Sequence, residues 1–211
     1  TAVAYPVDLT DPRAVEQITA RILQEVGVPD ILVNNAGAGR WRYLDDTPLD
    51  EVAAMMAAPY FAAFYVTHGL LPAMRKRGTG YILNVTSAAG YIALPGAAAY
   101  TAARWAMRGL HEALRAELVG TGLRCGIFVA TKIDTPYFDN NAVTDSQIPG
   151  VAKWARTISP QEAAAAIVRG IRHQRSFIVE PLLARFFIFS YRFFPGLVDW
   201  LVHITSTARR A

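Results

Sequence analysis

Asn84-Val-Thr-Ser-Ala-Ala-Gly-Tyr-Ile-Ala-Leu-Pro-Gly-Ala-Ala-Ala-Tyr-Thr-Ala-Ala-Arg104 is the stretch whose reading decides the fold. An apolar run from Tyr81 to Val85 ends in two hydroxyls, Thr86 and Ser87, and a loop punctuated by Gly90, Pro95 and Gly96 follows. A long helical pattern opens around Tyr100. Strand, loop and helix in that order present side chains at the strand's carboxyl end, where open α/β sheets bind ligands. Ser87, Tyr100 and Arg104 are the groups expected at that edge. Tyr100 and Arg104 are four residues apart, so on a helix they share one face and their heads converge.

The flanking chain has the same character. Upstream, Thr1 to Val7 is a short apolar run expected as a strand, and Thr10 or Asp11 reads as the N-cap of a helix. Val15, Ile18, Ile22 and Val26 recur there at helical spacing until Gly27 stops it. Ile31-Leu32-Val33 is expected as a strand buried on both faces, ending in Asn34-Asn35-Ala36-Gly37-Ala38-Gly39. Thr47-Pro48 starts a helix that runs to about Arg77, with Pro59 in its middle, where a missing N–H and a ring clash should bend or break it. Downstream come a helix from about 98 to 119, a strand from Leu123 to Val129 and an irregular segment from Thr135 to Gly150. Ser159-Pro160-Gln161-Glu162 then opens a helix, and Phe177 to Val179 forms a last strand. The alternation predicts an α/β fold around a parallel sheet. One domain is expected over 1–211, with 182–206 as an apolar C-terminal helical extension.

Composition bounds the function. The 211 residues suffice for one domain with a substantial core. The chain is 53% hydrophobic and 18% charged, against about a quarter charged in ordinary domains. That balance suits a sheet covered on both faces, an oligomer or a sticky surface. The net charge of +4 comes without a dense Lys/Arg block, which argues against a nucleic-acid partner. The single cysteine, Cys125, excludes an intrachain disulfide and a multi-cysteine metal site, and it is expected as a small buried apolar group. His68, His111, His173 and His203 show no ligand-like clustering, so they are expected at the surface or in packing, and no metal is expected. The opening residues lack the pattern of a secretory leader, which leads to an expectation of a cytoplasmic protein.

These residues resemble the short-chain dehydrogenases/reductases. Asn34-Asn35-Ala36-Gly37 after a strand looks like that family's Asn-Asn-Ala-Gly motif, and Ser87 precedes Tyr100 by 13 residues, its usual serine-to-tyrosine spacing. Tyr100-Thr-Ala-Ala-Arg104 stands where the family carries Tyr-x-x-x-Lys. Asp8 resembles the acidic residue set against the adenine ring, and Ile133-Asp134-Thr135 resembles the Val-x-Thr that touches the nicotinamide carboxamide. The resemblance covers residues 1 to about 180. It implies a Rossmann-type doubly wound parallel sheet in three α/β/α layers, a cofactor, NAD or NADP, and an alcohol or carbonyl substrate. It also implies catalysis by Ser87, Tyr100 and Arg104, with cofactor contacts from Asp8, Asn35, Ala36, Gly37, Tyr100, Arg104, Ile133 and Thr135.

The chemistry asks for these residue types. Hydride arriving at a carbonyl leaves negative charge on oxygen, which needs a hydrogen bond and a proton. A tyrosine titrates near 10 when unperturbed, so a nearby cation is needed to bring it into range. In the resemblance Ser87 bonds the substrate oxygen, Tyr100 exchanges the proton and the cation four residues on tunes it. Three positions depart from the family pattern. Arg104 replaces lysine and keeps the charge, but a guanidinium does not pass a proton on. Pro59 stands at the family's catalytic asparagine, and Ala130-Thr131 stands for Pro-Gly.

The family's glycine-rich phosphate loop and its first two strands have no counterpart before residue 1, so the chain is expected to be a portion of a longer polypeptide. The strand at 31–33 would then have an open edge. Two readings follow. One is an NAD(P)-dependent oxidoreductase interconverting an alcohol and a ketone or aldehyde on an apolar, steroid-, retinoid- or lipid-like substrate. The other is a catalytically degenerate member acting as a binding or oligomerisation module. Alanine-rich helices suggest pairing into a homo-dimer or tetramer. Substrate choice is expected to rest on Arg40 to Tyr43, Tyr91 to Gly96 and Pro136 to Gly150. In the tail, apolar runs are interrupted by Arg185, Ser190, Arg192, Pro195 and Asp199, too short to span a bilayer. The tail is expected either to cover the core or a partner subunit, or to lie in a membrane interface.

Overall fold

Asp11 starts the first helix: its side chain accepts the N–H groups of Arg13 and Ala14, with Pro12 in the first turn, and α1 runs Pro12–Glu25. Gly27, at φ +99, takes the chain out of it. The computed structural model describes residues 2–137, 139 and 148–206. Part of the irregular segment expected before Gly150, residues 138 and 140–147, lies outside the described residues. The order continues as β1 (Ile31–Asn34), α2 (Leu49–Met56), α3 (Ala62–Arg77), β2 (Gly80–Ser87), α4 (Ala98–Glu117) and β3 (Leu123–Ala130). After it come α5 (Pro160–Arg172), β4 (Phe177–Glu180), α6 (Leu182–Phe193) and α7 (Pro195–Thr205).

The sheet order is β1-β2-β3-β4, every pair parallel. Leu32, Ile82 and Cys125 face α1, α3 and α4, with Leu70, Met74 and Leu114 closing that layer. On the opposite face Tyr81, Leu83, Phe128 and Ile178 pack under α5 through Ala163 and Ala166. The capping box of Ser159 and Glu162 fixes the start of α5, each side chain bonding the other's backbone N–H. Val198 and Val202 of α7 cover Ile127 and Val129 of β3. The two faces are therefore covered by different helices, which is the doubly wound arrangement.

Two local expectations are corrected. Residues 2–7 form no strand; Tyr5, Val7 and Leu9 instead border a cavity of about 190 Å³ beside Leu32, Asn34 and Ala62. Nor is β1 buried on both faces, since Ile31 and Val33 are 47% and 41% exposed. The layer under α5 reaches β2, β3 and β4 and leaves that side of β1 bare. The open edge expected at β1 is present: among the described residues no strand lies beyond it.

Pro59 interrupts the long helix without ending it. Ala57–Phe61 is a π-helical segment between α2 and α3, with Pro59 buried in it, a wider turn that accommodates a residue lacking an N–H. The helical run Leu49–Arg77 is long and apolar enough to cross a membrane by length and composition. Within it Ala62, Ala63, Thr67, Leu70 and Met74 of α3 are buried, and Leu49, Val52 and Phe64 are exposed.

A chain of polar groups crosses the layer under α3 and α4. The Asn34 amide donates to Asn84 Oδ1 at 2.8 Å and to Thr67 Oγ1 at 3.0 Å. Asn84 Nδ2 points to Cys125 Sγ at 3.7 Å, and that sulfur lies 3.3 Å from His111 Nδ1. Every member is under 9% exposed. Burial pushes the Cys125 thiol up to about 12 and the His111 imidazole down to about 4, so both stay neutral and hydrogen-bonded. The structure thus puts Cys125 and His111 in the packed interior.

Candidate active site

Ser87 is the last residue of β2, and its Oγ accepts the Ala89 N–H at 3.2 Å, capping the 3₁₀ turn Ala88–Gly90. The chain re-enters a helix at Ala98, and the first turns of α4 carry Tyr100 and Arg104, each 8% exposed. Gly90 lets these two segments approach: a Cβ there would meet the Arg104 carbonyl oxygen at 2.8 Å. The β2 end and the α4 start are brought together as backbone, and the side chains follow.

The loop after β1 folds onto the same pair. Arg104 Nη2 donates to the Ala38 carbonyl at 3.2 Å, and its guanidinium carbon lies 4.7 Å from the centre of the Tyr100 ring. Gly37 faces that guanidinium, where a Cβ would sit 3.2 Å from Nη1, and a Cβ at Gly39 would collide with the Tyr100 ring. Trp41 packs its ring 5.7 Å from Tyr100. From the far side, Tyr137 donates its hydroxyl to the Gly39 carbonyl at 3.0 Å. Burial raises the Tyr137 phenol well above its ordinary value, the neighbouring Tyr100 adding to the effect.

Ser87 and Tyr100 open together into a cavity of about 430 Å³. Thr131, Lys132 and Tyr137 border it near the strand ends. The rest of the wall is mostly apolar: Trp41, Ile92, Leu94, Ile148 and Val151 from the loops, and Ala184, Phe187, Val198 and Val202 from α6 and α7. All three expected substrate loops therefore contribute, since Trp41, Ile92, Leu94, Tyr137, Ile148 and Pro149 line it.

The other site residues named from the sequence are dispersed. Arg104 stands behind Tyr100 and does not line the cavity. Asp8 is exposed, and its carboxylate accepts Thr10 N–H and Oγ1, bonds that lower its pKa. Asn35 and Ala36 border the smaller cavity beside β1. Ile133 pairs with Ile158 as an isolated bridge and packs under α5, and Thr135 Oγ1 reaches the Ile133 carbonyl at 3.5 Å. The neighbour of Asn35, Asn34, is the one whose buried amide bonds Asn84 of the adjacent strand. Sequence reasoning missed Thr131 and the α6–α7 wall. The spacing of Ala184 to Phe187 and of Val198 to Val202, three and four residues apart, is the signal that marks an inward helix face.

Polar groups left open near Tyr100 test whether a nicotinamide dinucleotide suits these residues. Among the described residues, Arg104 Nε and Thr131 Oγ1 are buried without hydrogen-bond partners. A buried donor beside Tyr100 and a buried hydroxyl in the wall of the same cavity, with glycines at 37 and 39 keeping the loop thin, fit the nicotinamide-ribose half of such a cofactor.

Residues 1–145 match the short chain dehydrogenase family, and the chain belongs to that family of oxidoreductases. It is 28% identical over 180 residues to D-beta-hydroxybutyrate dehydrogenase of Rhizobium meliloti (strain 1021), covering 85% of this chain and 67% of that one. It is 29% identical over 194 residues to 17-beta-hydroxysteroid dehydrogenase 13 of Rattus norvegicus, covering 92% and 63%. The crystal structure of a short chain dehydrogenase from Burkholderia cenocepacia J2315 in complex with NADP superposes with a TM-score of 0.80 at 23% identity, over 95% of this chain and 78% of that one. That likeness shows the Rossmann fold. The chain spans about two thirds of the length of these two curated relatives.

Proposed function

We propose that the protein is an NAD- or NADP-dependent oxidoreductase that interconverts a secondary alcohol and a ketone, or a primary alcohol and an aldehyde, on an apolar substrate. The observation that carries this reading is the opening of Ser87 and Tyr100 into one largely apolar cavity. Ser87 donates a hydrogen bond to the substrate oxygen, and Tyr100 gives or takes its proton. Arg104, one turn along α4, holds a positive charge against the Tyr100 ring and stabilises the phenolate that forms. Arg104 Nε and the Thr131 hydroxyl hold the nicotinamide-ribose half of the cofactor, which supplies or accepts the hydride. Trp41, Phe187 and Val198 exclude water from the substrate body. The name of the rat relative, a hydroxysteroid dehydrogenase, supports an apolar substrate of steroid or lipid type. Exposed Phe64 on α3 and Trp105 on α4 are where we expect a second subunit to pair.

Nicotinamide absorbance, followed with a panel of apolar alcohols and ketones under both cofactors, tests the reading. Turnover lost in Tyr100→Phe and reduced in Ser87→Ala is the expected result. A second reading is a binding module without catalysis. It is favoured by Pro59, which stands in the π-helical segment and offers no side-chain amide. Cofactor binding without turnover of any member of the panel would select it.

A further inference from the structure

Helices α6 and α7 each have two apolar faces. The inner faces give Ala184, Phe187, Val198 and Val202 to the cavity wall. On the outer face of α6, Leu182, Phe186, Phe189 and Phe193 recur at helical spacing and are 73%, 64%, 63% and 58% exposed. Leu197, Trp200 and Ile204 continue the stripe on α7 at 56%, 55% and 50%, with Phe194 at the junction at 64%. Exposed apolar side chains in a contiguous group of this size mark an interaction surface.

The charges around the stripe say what it meets. Arg185 and Arg192 are exposed and lie together roughly 70–90° around α6 from the centre of the stripe, along one edge of it, at about 100° per residue. Trp154, 61% exposed, packs 6.3 Å from Phe187 on the cavity side of α6, where exposed Lys153 also borders the cavity. The acid of this tail, Asp199, is engaged with the Tyr191 hydroxyl. An aromatic and aliphatic band edged by cations complements a bilayer with anionic headgroups: rings sit at the acyl boundary and guanidiniums reach phosphates. Among the described residues Asp199 is the one carboxylate of 182–206, so a second copy offers those arginines no other acid from this patch.

We propose that the outer face of α6–α7 docks on an anionic lipid surface, and that the cavity behind the same two helices receives its substrate from that surface. The docking stands on its own; the delivery rests on the oxidoreductase reading above.

Flotation of the full chain with vesicles of phosphatidylcholine, alone or mixed with phosphatidylserine, decides the docking. The wild type is expected to float with the mixed vesicles and far less with phosphatidylcholine alone. Arg185→Gln with Arg192→Gln should lower partitioning onto the mixed vesicles by about tenfold or more. Phe186→Ser, Phe189→Ser, Phe193→Ser and Trp200→Ser together should abolish it, with the thermal midpoint unchanged or raised. A wild type that stays in the aqueous phase overturns the docking. So does a wild type that light scattering shows as a dimer, split by the aromatic variant, without flotation. For delivery, a long-chain ketone carried in the mixed vesicles should be reduced faster by the wild type than by the aromatic variant, while both reduce a short water-soluble ketone equally. Equal rates on the vesicle-borne ketone overturn delivery. Turnover of neither ketone by either protein overturns delivery and the oxidoreductase reading with it, and leaves the flotation result standing.

Discussion

The Arg104 guanidinium carbon stands 4.7 Å from the centre of the Tyr100 ring, and the same group bonds the Ala38 carbonyl at 3.2 Å. One side chain thus couples α4 to the loop after β1 and sets a fixed positive charge beside the phenol. A cation over an aromatic face is worth about 0.5–2 kcal/mol depending on desolvation, and here the pair is largely buried. Arg104→Met should therefore lower the thermal midpoint and reduce kcat by about a hundredfold. Arg104→Lys keeps the charge and adds a group that passes protons; a rise in kcat of about tenfold is expected in steady-state assays. A fall in kcat with lysine would show that the fork on Ala38 matters more than proton passage.

Tyr100→Phe keeps the ring contacts to Trp41 and Arg104, so melting should barely move while kcat falls by about 10²–10⁴-fold. Ser87→Ala removes the cap on the Ala89 N–H as well. A drop in kcat with a stability loss of about 0.5–1 kcal/mol by urea titration is expected.

Tyr137 ties the segment after β3 to the loop after β1 through its bond to the Gly39 carbonyl. Tyr137→Phe should destabilise by about 1 kcal/mol and raise KM more than it changes kcat, because the tether shapes the cavity mouth and not the proton donor. A kcat loss as large as that of Tyr100→Phe would move Tyr137 into the reaction itself.

His111 titrates at about 4 in the folded chain against an ordinary 6.5, chiefly through burial. Its folded pKa is depressed, so the unfolded chain binds the proton first as pH falls. The neutral imidazole's contribution is complete above about pH 6.5 and fades toward about pH 4, by up to about 3 kcal/mol. Urea midpoints measured across that window should fall with acid, and His111→Leu should flatten this part of the profile. A profile as steep in the variant would assign the acid sensitivity to other groups.

Elements with a local cause were readable in the sequence. Asp11 and the Ser159/Glu162 box announced two helices, because a cap needs only the residues beside it. Ser87 and Tyr100 were readable because a strand end and a helix start place them. The burial of β1 was not: whether Ile31 and Val33 are covered depends on how far α5 extends across the sheet, a contact remote in sequence. Trp41 and Tyr137 sit in loops without periodicity, so only the folded chain shows them meeting Gly39 and Tyr100. Asn34 and Asn35 are alike in composition, and which one turns inward is set by the pairing of β1 with β2.

That pairing has a consequence for assembly. Asn84 lies between Asn34 and Cys125, on the face it shares with them. If β2 slipped by one residue, Leu83 or Val85 would take its place and every β2 side chain would change faces. The Asn34 amide would then be sealed in an apolar layer with one partner fewer, a penalty of about 1–3 kcal/mol. An all-apolar β2 would forgive such an error. The buried amides act as a proofreading mark, admitting one alignment of three strands and making the near-misses unstable enough to come apart and try again.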